Sequence, residues 1–395
     1  MLAYQGDRRR TLLTRLGDVT VERSYYVGPC EHTVFPTDEL LGLGHHGILP
    51  ELQQLIALQC SRVPYAEAVA TLTGLLPIRI SPHTAQQVTS HISGQVQAEQ
   101  EREREEAFGD PACARFPDPE APVSSPVAVV AADGGMCRTR HSEDTYKEFK
   151  MGVLGTLCPA PGSKDKAKVE NKRYVAHLGD ADTFFEHLTV DFHRAGLQHA
   201  QTLQVLGDGA PWLWSRFELL RQENQEYVPL LDFYHASEHL HETSDAIFGP
   251  STVKGKCWYE RMRKRLLDGE LRLFFREFQV QEKRAIYRGC REAAQAVAKA
   301  YGYFQERRRF LGYRQCRMRG LPIGSGMVEG GIRFVGKDRL DRTGMRWSIP
   351  GAEDVLQLRC LSAGKRWGPF FQNKARERLN SFQQKKASWL RLRAA

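Results

Sequence analysis

The chain has 395 residues, of which 41% are hydrophobic and 26% are charged, and its formal net charge is +9. This composition is typical of a soluble globular protein with two or three domains. The sequence has no run of 18 apolar residues and no apolar leader after Met1, which excludes a membrane-spanning protein, so we expect a cytoplasmic one.

The distribution of cysteines and charges narrows the class of protein further. The nine cysteines are scattered singly, which indicates reduced thiols and argues against a disulfide framework. Residues 330–395 contain 15 Lys/Arg and 5 Asp/Glu, whereas the rest of the chain is close to neutral. A basic excess confined to one segment indicates either a surface for a polyanion, usually nucleic acid, or a solvated tail.

The first 45 residues predict a small β region. Residues 10–26 alternate β-branched and aromatic side chains around a Leu-Gly-Asp turn, which is the pattern of a β-hairpin. The glycine-rich residues 36–50 are predicted to be a connector.

Residues 46–108 predict a helical DNA-binding domain. Apolar residues take helical spacing from Glu51, and Ser81-Pro82 supplies an N-cap and a first-turn proline to a long third helix. Three helices with a break before the last resemble a helix-turn-helix unit, although a helical bundle that only packs fits the pattern equally well. The proline-rich residues 109–125 are predicted to be a linker.

The remainder predicts an α/β fold whose core is interrupted by helices. Short apolar runs predict four strands and one helix: strands at 127–132, 146–157, 173–178 and 202–206, and a helix at 181–190. Residues 211–320 show helical periodicity and few strand signals. We therefore expect a core formed by residues 126–210 and 321–395, with an all-helical insertion between the two parts.

Two aspartates follow apolar strand candidates directly, and each is followed by glycine. They are Asp133 in Ala-Ala-Asp-Gly-Gly and Asp208 in Leu-Gly-Asp-Gly-Ala. Ligands bind at the carboxyl ends of strands in α/β folds, and two such carboxylates could share a divalent ion such as Mg²⁺ or Mn²⁺. Asp-Gly is also a common turn dipeptide, which is the alternative for either aspartate alone.

Glu329, in a glycine-rich turn that leads into a helix, is predicted to be the third carboxylate. Arg333 and Lys337 follow at intervals of four residues and are expected on the same helical face. A metal-binding carboxylate beside two cations is typical of a scissile-phosphate site, and a surface ion-pair row is the alternative. Other carboxylates compete for the role: Asp232, Glu238 and Glu260.

Several longer motifs resemble those of a known family. They are Leu-Gly-Asp-Gly-Ala-Pro-Trp-Leu-Trp, Leu-Asp-Phe-Tyr-His-Ala-Ser-Glu-His-Leu, and Gly-Ser-Gly-Met-Val-Glu with Arg-Thr-Gly-Met-Arg-Trp downstream. Together with the entry hairpin and the Ile-Ser-Pro-His-Thr helix start, they resemble bacterial insertion-sequence transposases of the ISKra group, which are related to the Mutator-like transposases. The resemblance covers nearly the whole chain in the family's order.

This resemblance implies a DDE transposase with an RNase H-like catalytic core and an all-helical insertion between the second and third acidic residues. Carried over by position, the acidic triad is Asp133, Asp208 and Glu329, which would hold two Mg²⁺ or Mn²⁺ ions. The Asp-x-x-His element, Asp232 and His235, is expected to support the centre or to position DNA. A satisfied core histidine is the alternative for His235.

The same resemblance implies the partners of the protein. They are DNA, as transposon terminal inverted repeats and as target DNA, and a second copy of the chain in a homodimer. The expected location is the bacterial nucleoid. Family members usually carry a cysteine-rich zinc motif around the hairpin, of which this chain keeps only Cys30 as a candidate ligand, with His32 nearby. A structural zinc site needs four ligands, so no zinc is expected, and either that site has decayed here or the chain is a shortened form.

Cations and tryptophans near the predicted triad are candidate DNA contacts. Five cations crowd the stretch after Glu329 and are predicted to bind phosphates: Arg333, Lys337, Arg339, Arg342 and Arg346. Trp212 and Trp347 are predicted either to stack on an unpaired base at the cut site or to lie in the core.

Three functions are compatible with these features. The first is a transposase that cleaves transposon ends and joins them to target DNA, and the intact carboxylate candidates favour it. The others are a transposase-derived protein that binds DNA without cutting it, and a non-transposing nuclease on the same fold.

Overall fold

The fold is mixed α/β, and the computed structural model describes residues 3–28, 33–43, 47–123, 125–140, 145–159 and 167–394. The strands in chain order are β1 (Ala3–Thr14), β2 (Gly17–Val27), β3 (Thr33–Val34), β4 (Val127–Arg138), β5 (Tyr146–Pro159), β6 (Ala167–His177), β7 (Thr202–Gly207) and β8 (Glu226–Leu231). The candidate zinc ligands Cys30 and His32 lie outside the described residues.

The α-helices in chain order are α1 (Pro36–Leu41), α2 (Pro50–Arg62), α3 (Tyr65–Leu75), α4 (Pro82–Phe108), α5 (Ala181–Arg194), α6 (Pro211–Glu218), α7 (Phe233–Phe248), α8 (Val253–Leu267), α9 (Leu271–Tyr287), α10 (Arg291–Glu306), α11 (Tyr313–Met318), α12 (Gly326–Gly331), α13 (Asp338–Leu340), α14 (Ile349–Ala363) and α15 (Trp367–Ala394). A π-helical stretch, Ile332–Lys337, follows α12. Among the helices of the described ranges, none combines the length and apolar character that a bilayer crossing requires.

The chain forms two compact units, and the first consists of Met1–Arg102, Cys137–Lys147 and Val335–Ala395. Its core joins apolar side chains of α2, α3, α4, α14 and α15, among them Leu52, Ile56, Leu72, Val88, Ile92, Leu358 and Phe371. An antiparallel sheet of order β1-β2-β3 belongs to the same unit. The C-terminal helices therefore complete the core that the N-terminal helices begin.

Buried polar contacts fix the helices of the first unit to one another. Asp354 of α14 accepts hydrogen bonds from Ser90 Oγ at 2.7 Å and from Gln97 Nε2 at 2.9 Å, both on α4. Arg359 of α14 donates to the carbonyl of Ser61 at 2.9 Å, at the carboxyl end of α2. A cation at this position satisfies a carbonyl that a helix end leaves unpaired.

The second unit consists of Glu103–Met136 and Glu148–Phe334, and a five-stranded sheet of order β6-β5-β4-β7-β8 lies at its centre. β4 is parallel to β7, β7 is parallel to β8, and β5 is antiparallel to β6. Every residue of β7 is buried, as expected of a strand with neighbours on both sides. Helices α7 to α10 pack on one another after β8.

Most of the predicted elements are confirmed. The hairpin forms β1 and β2, and Ser81 caps α4 by accepting a hydrogen bond from the Thr84 amide at 3.0 Å. The predicted connector contains α1. The predicted linker is bound to the second unit, because the Glu120 amide donates to the Arg194 carbonyl at 2.9 Å and its carboxylate pairs with Arg173 at 2.6 Å.

One predicted boundary is wrong in a way that matters for the site. Residues 211–320 were expected to be all-helical, but they contain β8, which pairs with β7 from Thr202↔Glu226 to Gly207↔Leu231. The sequence does not predict this strand, because Pro229 lies within it and proline is unusual inside a strand. Proline is tolerated here because β8 is the last strand in the sheet order.

Candidate metal centre

Three aspartates lie along one edge of the sheet in the second unit, one from each of its parallel strands: Asp133, Asp208 and Asp232. The sheet pairs Ala131 with Leu206 and Leu206 with Leu230. Asp133, Asp208 and Asp232 each come two residues after the aligned residue of the same strand. Since neighbouring strands lie about 4.8 Å apart, the register brings three carboxylates to one edge.

Asp133 lies within β4, whereas the sequence predicted it at the strand's end, because the strand continues to Arg138. Its parallel pairing with β7 nevertheless ends at Ala131, so Asp133 is beyond the paired part. A glycine at such a position lets a substrate or another part of the chain approach closely. Here the two glycines make room for the neighbouring strand: a Cβ on Gly134 would collide with the Glu148 carboxylate, and one on Gly135 with the Phe149 ring.

The electrostatics of Asp133 reflect its neighbours. Burial raises the pKa of Asp133 from 3.8 to about 6, the Gly134 amide lowers it, and the negative charge of Asp208 raises it again. His235 and Asp232 act on the pKa of Asp133 more weakly, in opposite directions. The pKa of Asp133 thus responds to three titratable neighbours, and a bound cation would relieve the repulsion among the carboxylates.

We expect Asp133→Asn to raise the melting temperature of the metal-free protein at pH 7.5. Because the pKa of Asp133 is raised, the protonated carboxyl stabilises the folded protein relative to the ionised carboxylate. This stabilisation is complete below about pH 4 and is lost as the pH rises through about 6. The gain from the neutral amide is on the order of 2 kcal/mol above that pH. Thermal unfolding in EDTA at pH 4.5, 6 and 7.5 measures it, and a gain that does not grow with pH would contradict the assignment.

Asp208 directly follows β7, as predicted, and its backbone is held by residues at the end of α10. Its carboxylate accepts from the Ala210 amide at 2.9 Å, and Gly209 takes φ +98°, a conformation that a side chain would strain. The Tyr303 hydroxyl donates to the Asp208 carbonyl at 3.0 Å, and Arg307 Nε donates to the Gly209 carbonyl at 3.0 Å. These contacts set the position from which the Asp208 side chain projects.

Asp232, at the end of β8, is fully buried and caps α7. One carboxylate oxygen accepts from the amides of Tyr234 at 2.6 Å and His235 at 2.9 Å. The other oxygen accepts from the amide of Ser325, the residue before α12. Asp232 therefore connects the sheet edge to the start of the helix that carries Glu329.

Glu329 and His235 meet at Asp232. One ligand atom from each of Asp232, His235 and Glu329 lies within 4.8 Å of the others. His235 Nδ1 is 3.3 Å from the Glu238 carboxylate, and its Nε2 is buried without a hydrogen-bond partner among the described residues. If Nδ1 carries the proton toward Glu238, Nε2 has a free lone pair, which is the state that a metal-binding imidazole needs.

Both residues of the Asp-x-x-His element, for which a supporting or DNA-positioning role was predicted, therefore lie beside Glu329. The three hydrogen bonds to Asp232 explain its burial by backbone contacts, so we assign it to positioning. Glu329 is exposed, with no such partners in the described chain. Among the described residues, the possible metal ligands whose atoms lie within 4.8 Å of one another are those of Asp232, His235 and Glu329, and Asp133 and Asp208 are not in that group.

Two of the predicted DNA contacts are buried in the first unit: the prediction is wrong for Arg339, and for Trp347 the alternative, a place in the core, is confirmed. Arg339 is 1% exposed, donates to the Cys60 carbonyl at 3.1 Å, and lies 4.6 Å from the Trp347 ring centroid. Trp347 is 7% exposed and donates to the Leu340 carbonyl at 2.9 Å. Both side chains stabilise the core and are not placed to reach a phosphate or a base.

The other predicted contacts are at least partly accessible. Four cations are exposed: Arg333, Lys337, Arg342 and Arg346. Arg342 pairs with Glu67 at 3.4 Å. Glu329 of the predicted row is exposed as well, and the chain that carries the row is α-helical over Gly326–Gly331 and π-helical over Ile332–Lys337. Trp212 is half-buried, 5.9 Å from Phe185 and 5.8 Å from Lys150 Nζ.

The sequence pattern missed three residues that shape the site: Tyr303, Arg307 and Ser325. The first two act through backbone carbonyls from about 100 residues away, a contact that local pattern cannot reveal. Ser325 lies in the Gly-Ser-Gly turn that the motif contains, and its small size beside two glycines was the available signal.

A scan against protein-family models found no matching model, and a search of curated proteins found no matching sequence.

Proposed function

We propose that the chain is a DNA transposase that cleaves transposon ends and joins them to target DNA with two divalent metal ions. The observation that carries the proposal is the register-matched row of Asp133, Asp208 and Asp232, together with Glu329 and His235, whose ligand atoms lie within 4.8 Å of one on Asp232. A row of carboxylates at the exit of parallel strands suits hard cations such as Mg²⁺ or Mn²⁺.

The fold is compatible with the RNase H-like core that the resemblance implies. The mixed sheet supplies two of the predicted triad residues, and α7 to α11 separate it from the helix that supplies the third. This arrangement supports a helical insertion that begins after β8, at Phe233, and not at residue 211. The exposed cations after Glu329 support a DNA-binding surface.

The donor set fits a divalent cation, because Asp133, Asp208 and Glu329 offer carboxylate oxygens and His235 offers a buried nitrogen without a partner in the described chain. When bound, two such ions activate the attacking oxygen and stabilise the leaving oxygen in an in-line displacement at phosphorus. The other residues of the site hold these donor groups in position. Asp232 holds the start of the Glu329 helix through Ser325.

The remaining residues keep the donors in place. Tyr303 and Arg307 fix the turn at Asp208, and the Glu238 carboxylate lies 3.3 Å from His235 Nδ1. Groups held this way need little reorganisation when the phosphate arrives, which is the main contribution that a protein makes to phosphoryl transfer.

The proposal is tested by incubating the protein with DNA that carries the element's own ends, in Mg²⁺, Mn²⁺ or EDTA. We expect metal-dependent nicking at the ends, followed by joining of the freed 3′-hydroxyl to a target plasmid. Cleavage without joining would instead identify a nuclease. Binding without cleavage in either metal would identify a DNA-binding protein derived from a transposase.

A further inference from the structure

A cavity of about 590 Å³ in the second unit lies outside the predicted site. Four cations and two aromatic residues line much of it: Lys168, Lys172, Arg263, Arg317, Phe233 and Tyr234. The cations come from β6, α8 and α11, which are far apart in sequence. The volume is within the range of about 300–1,000 Å³ that is usual for ligand sites.

The positive charge of this cavity is only partly balanced. Arg263 has the Glu260 carboxylate at 3.7 Å, and Arg317 reaches Asp268 only at 4.0 Å. In the described part of the chain, neither Lys168 nor Lys172 forms an ion pair. Four cations converge on one concave surface that holds few carboxylates, so the cavity favours an anion.

One wall of the cavity is aromatic. Phe233 is buried and lies under the Arg263 guanidinium, 5.2 Å from ring centroid to cation. Tyr234 is 58% exposed, and its ring is backed by Gly324, where any side chain would begin 2.6 Å from it. The ring is thus supported behind and open in front. An exposed aromatic face beside cations is the usual platform for a nucleic-acid base.

The cavity adjoins the candidate metal centre. Gly324 and Gly326 line it and flank Ser325, whose amide binds the Asp232 carboxylate. Tyr234 lies in sequence between Asp232 and His235. A DNA strand bound at the carboxylates would therefore pass close to the cavity.

We propose that this cavity binds one unpaired nucleotide of a DNA strand, with its base on Tyr234 and its phosphates at Lys172 and Arg263. The inference rests on the proposed function for the identity of the polymer. A base in a duplex has both faces covered by its neighbours, whereas an unpaired base can enter a concave site and stack on a single ring.

The test is fluorescence anisotropy with labelled 12-nucleotide oligo(dT) and a blunt 12-base-pair duplex, in EDTA and over a range of salt. We expect Tyr234→Leu to weaken oligo(dT) binding roughly tenfold and to leave duplex binding unchanged. The double variant Lys172→Ala/Arg263→Ala should reduce the slope of log affinity against log salt by about 1.4, or about 0.7 for each phosphate that is no longer neutralised.

The controls are matched substitutions at the end of α9 and directly after it in the same unit, Tyr287→Leu and Lys283→Ala/Arg288→Ala, which should change neither quantity. Tyr287 is 93% exposed, so its loss should not disturb the fold. Equal oligo(dT) affinities for Tyr234→Leu and Tyr287→Leu would overturn the inference. It would also be overturned if Tyr234→Leu weakened duplex binding as much as oligo(dT) binding.

Because the binding assay contains no divalent metal, its outcome is independent of cleavage. If the cavity variants lose oligo(dT) binding but the wild-type protein never cleaves DNA, the cavity is supported as a nucleotide site and the proposed transposase activity is refuted. Metal-dependent cleavage, combined with unaltered oligo(dT) binding in the cavity variants, would support the proposed enzyme and refute the cavity as a nucleotide site.

Discussion

Replacing Glu329 by glutamine is expected to lower metal-dependent DNA cleavage at least about a hundredfold while leaving DNA binding intact. Glu329 is exposed, so the fold does not depend on its packing. Glutamine has the same shape but lacks the negative charge, and one ligand atom of Glu329 lies within 4.8 Å of ligand atoms on Asp232 and His235. The measurement is the rate of nicking in Mg²⁺, with affinity measured separately in EDTA.

The matched control for this variant is Glu223→Gln, an exposed glutamate in the second unit that lies before β8. It should nick DNA at the wild-type rate. If Glu329→Gln also retained that rate, the third carboxylate would be a different residue and the proposed triad would be wrong.

Asp232→Ala is expected to destabilise the protein by about 3 kcal/mol, and cleavage should fall with it even where the protein remains folded. The variant removes a helix cap, which costs about 1 kcal/mol, and leaves the Ser325 amide unsatisfied in a buried site, which costs about 1–3 kcal/mol. Denaturant unfolding measures the first effect, and nicking below the unfolding temperature measures the second.

Asp180→Ala gives the comparison that separates capping from the long-range contact. Asp180 caps α5 by accepting from the Thr183 amide at 2.8 Å, and it is exposed. Its loss should cost only about 1 kcal/mol. Equal costs for Asp180→Ala and Asp232→Ala would show that the Asp232 contact with Ser325 contributes nothing to stability.

The sequence located two of the sheet-edge carboxylates because they follow uninterrupted apolar runs. Asp133 and Asp208 come after Val127–Ala132 and Thr202–Gly207, which bury every or nearly every side chain. Asp232 occupies the equivalent register position, but its strand contains Pro229 and begins with an exposed glutamate. Asp232 was a candidate residue, but its alignment with Asp133 and Asp208 could not be predicted without the pairing of β8 with β7.

The basic stretch after Glu329 shows where residue type alone fails. Arg339 and Arg342 are three residues apart, yet one is buried and the other exposed. What distinguishes them is the carbonyl of Cys60, which is 279 positions away in sequence and accepts from Arg339. Spacing along a helix can identify a face, but only the packing of distant helices decides whether that face meets solvent.

The most direct test of the metal centre is the anomalous scattering of crystals soaked in Mn²⁺. We predict anomalous-difference density between the carboxylates of Asp133 and Asp208, with further density at Glu329, and its loss in Asp133→Asn. Density confined to Asp232, His235 and Glu329, or none at the sheet edge, would contradict the assignment of Asp133 and Asp208 as metal ligands.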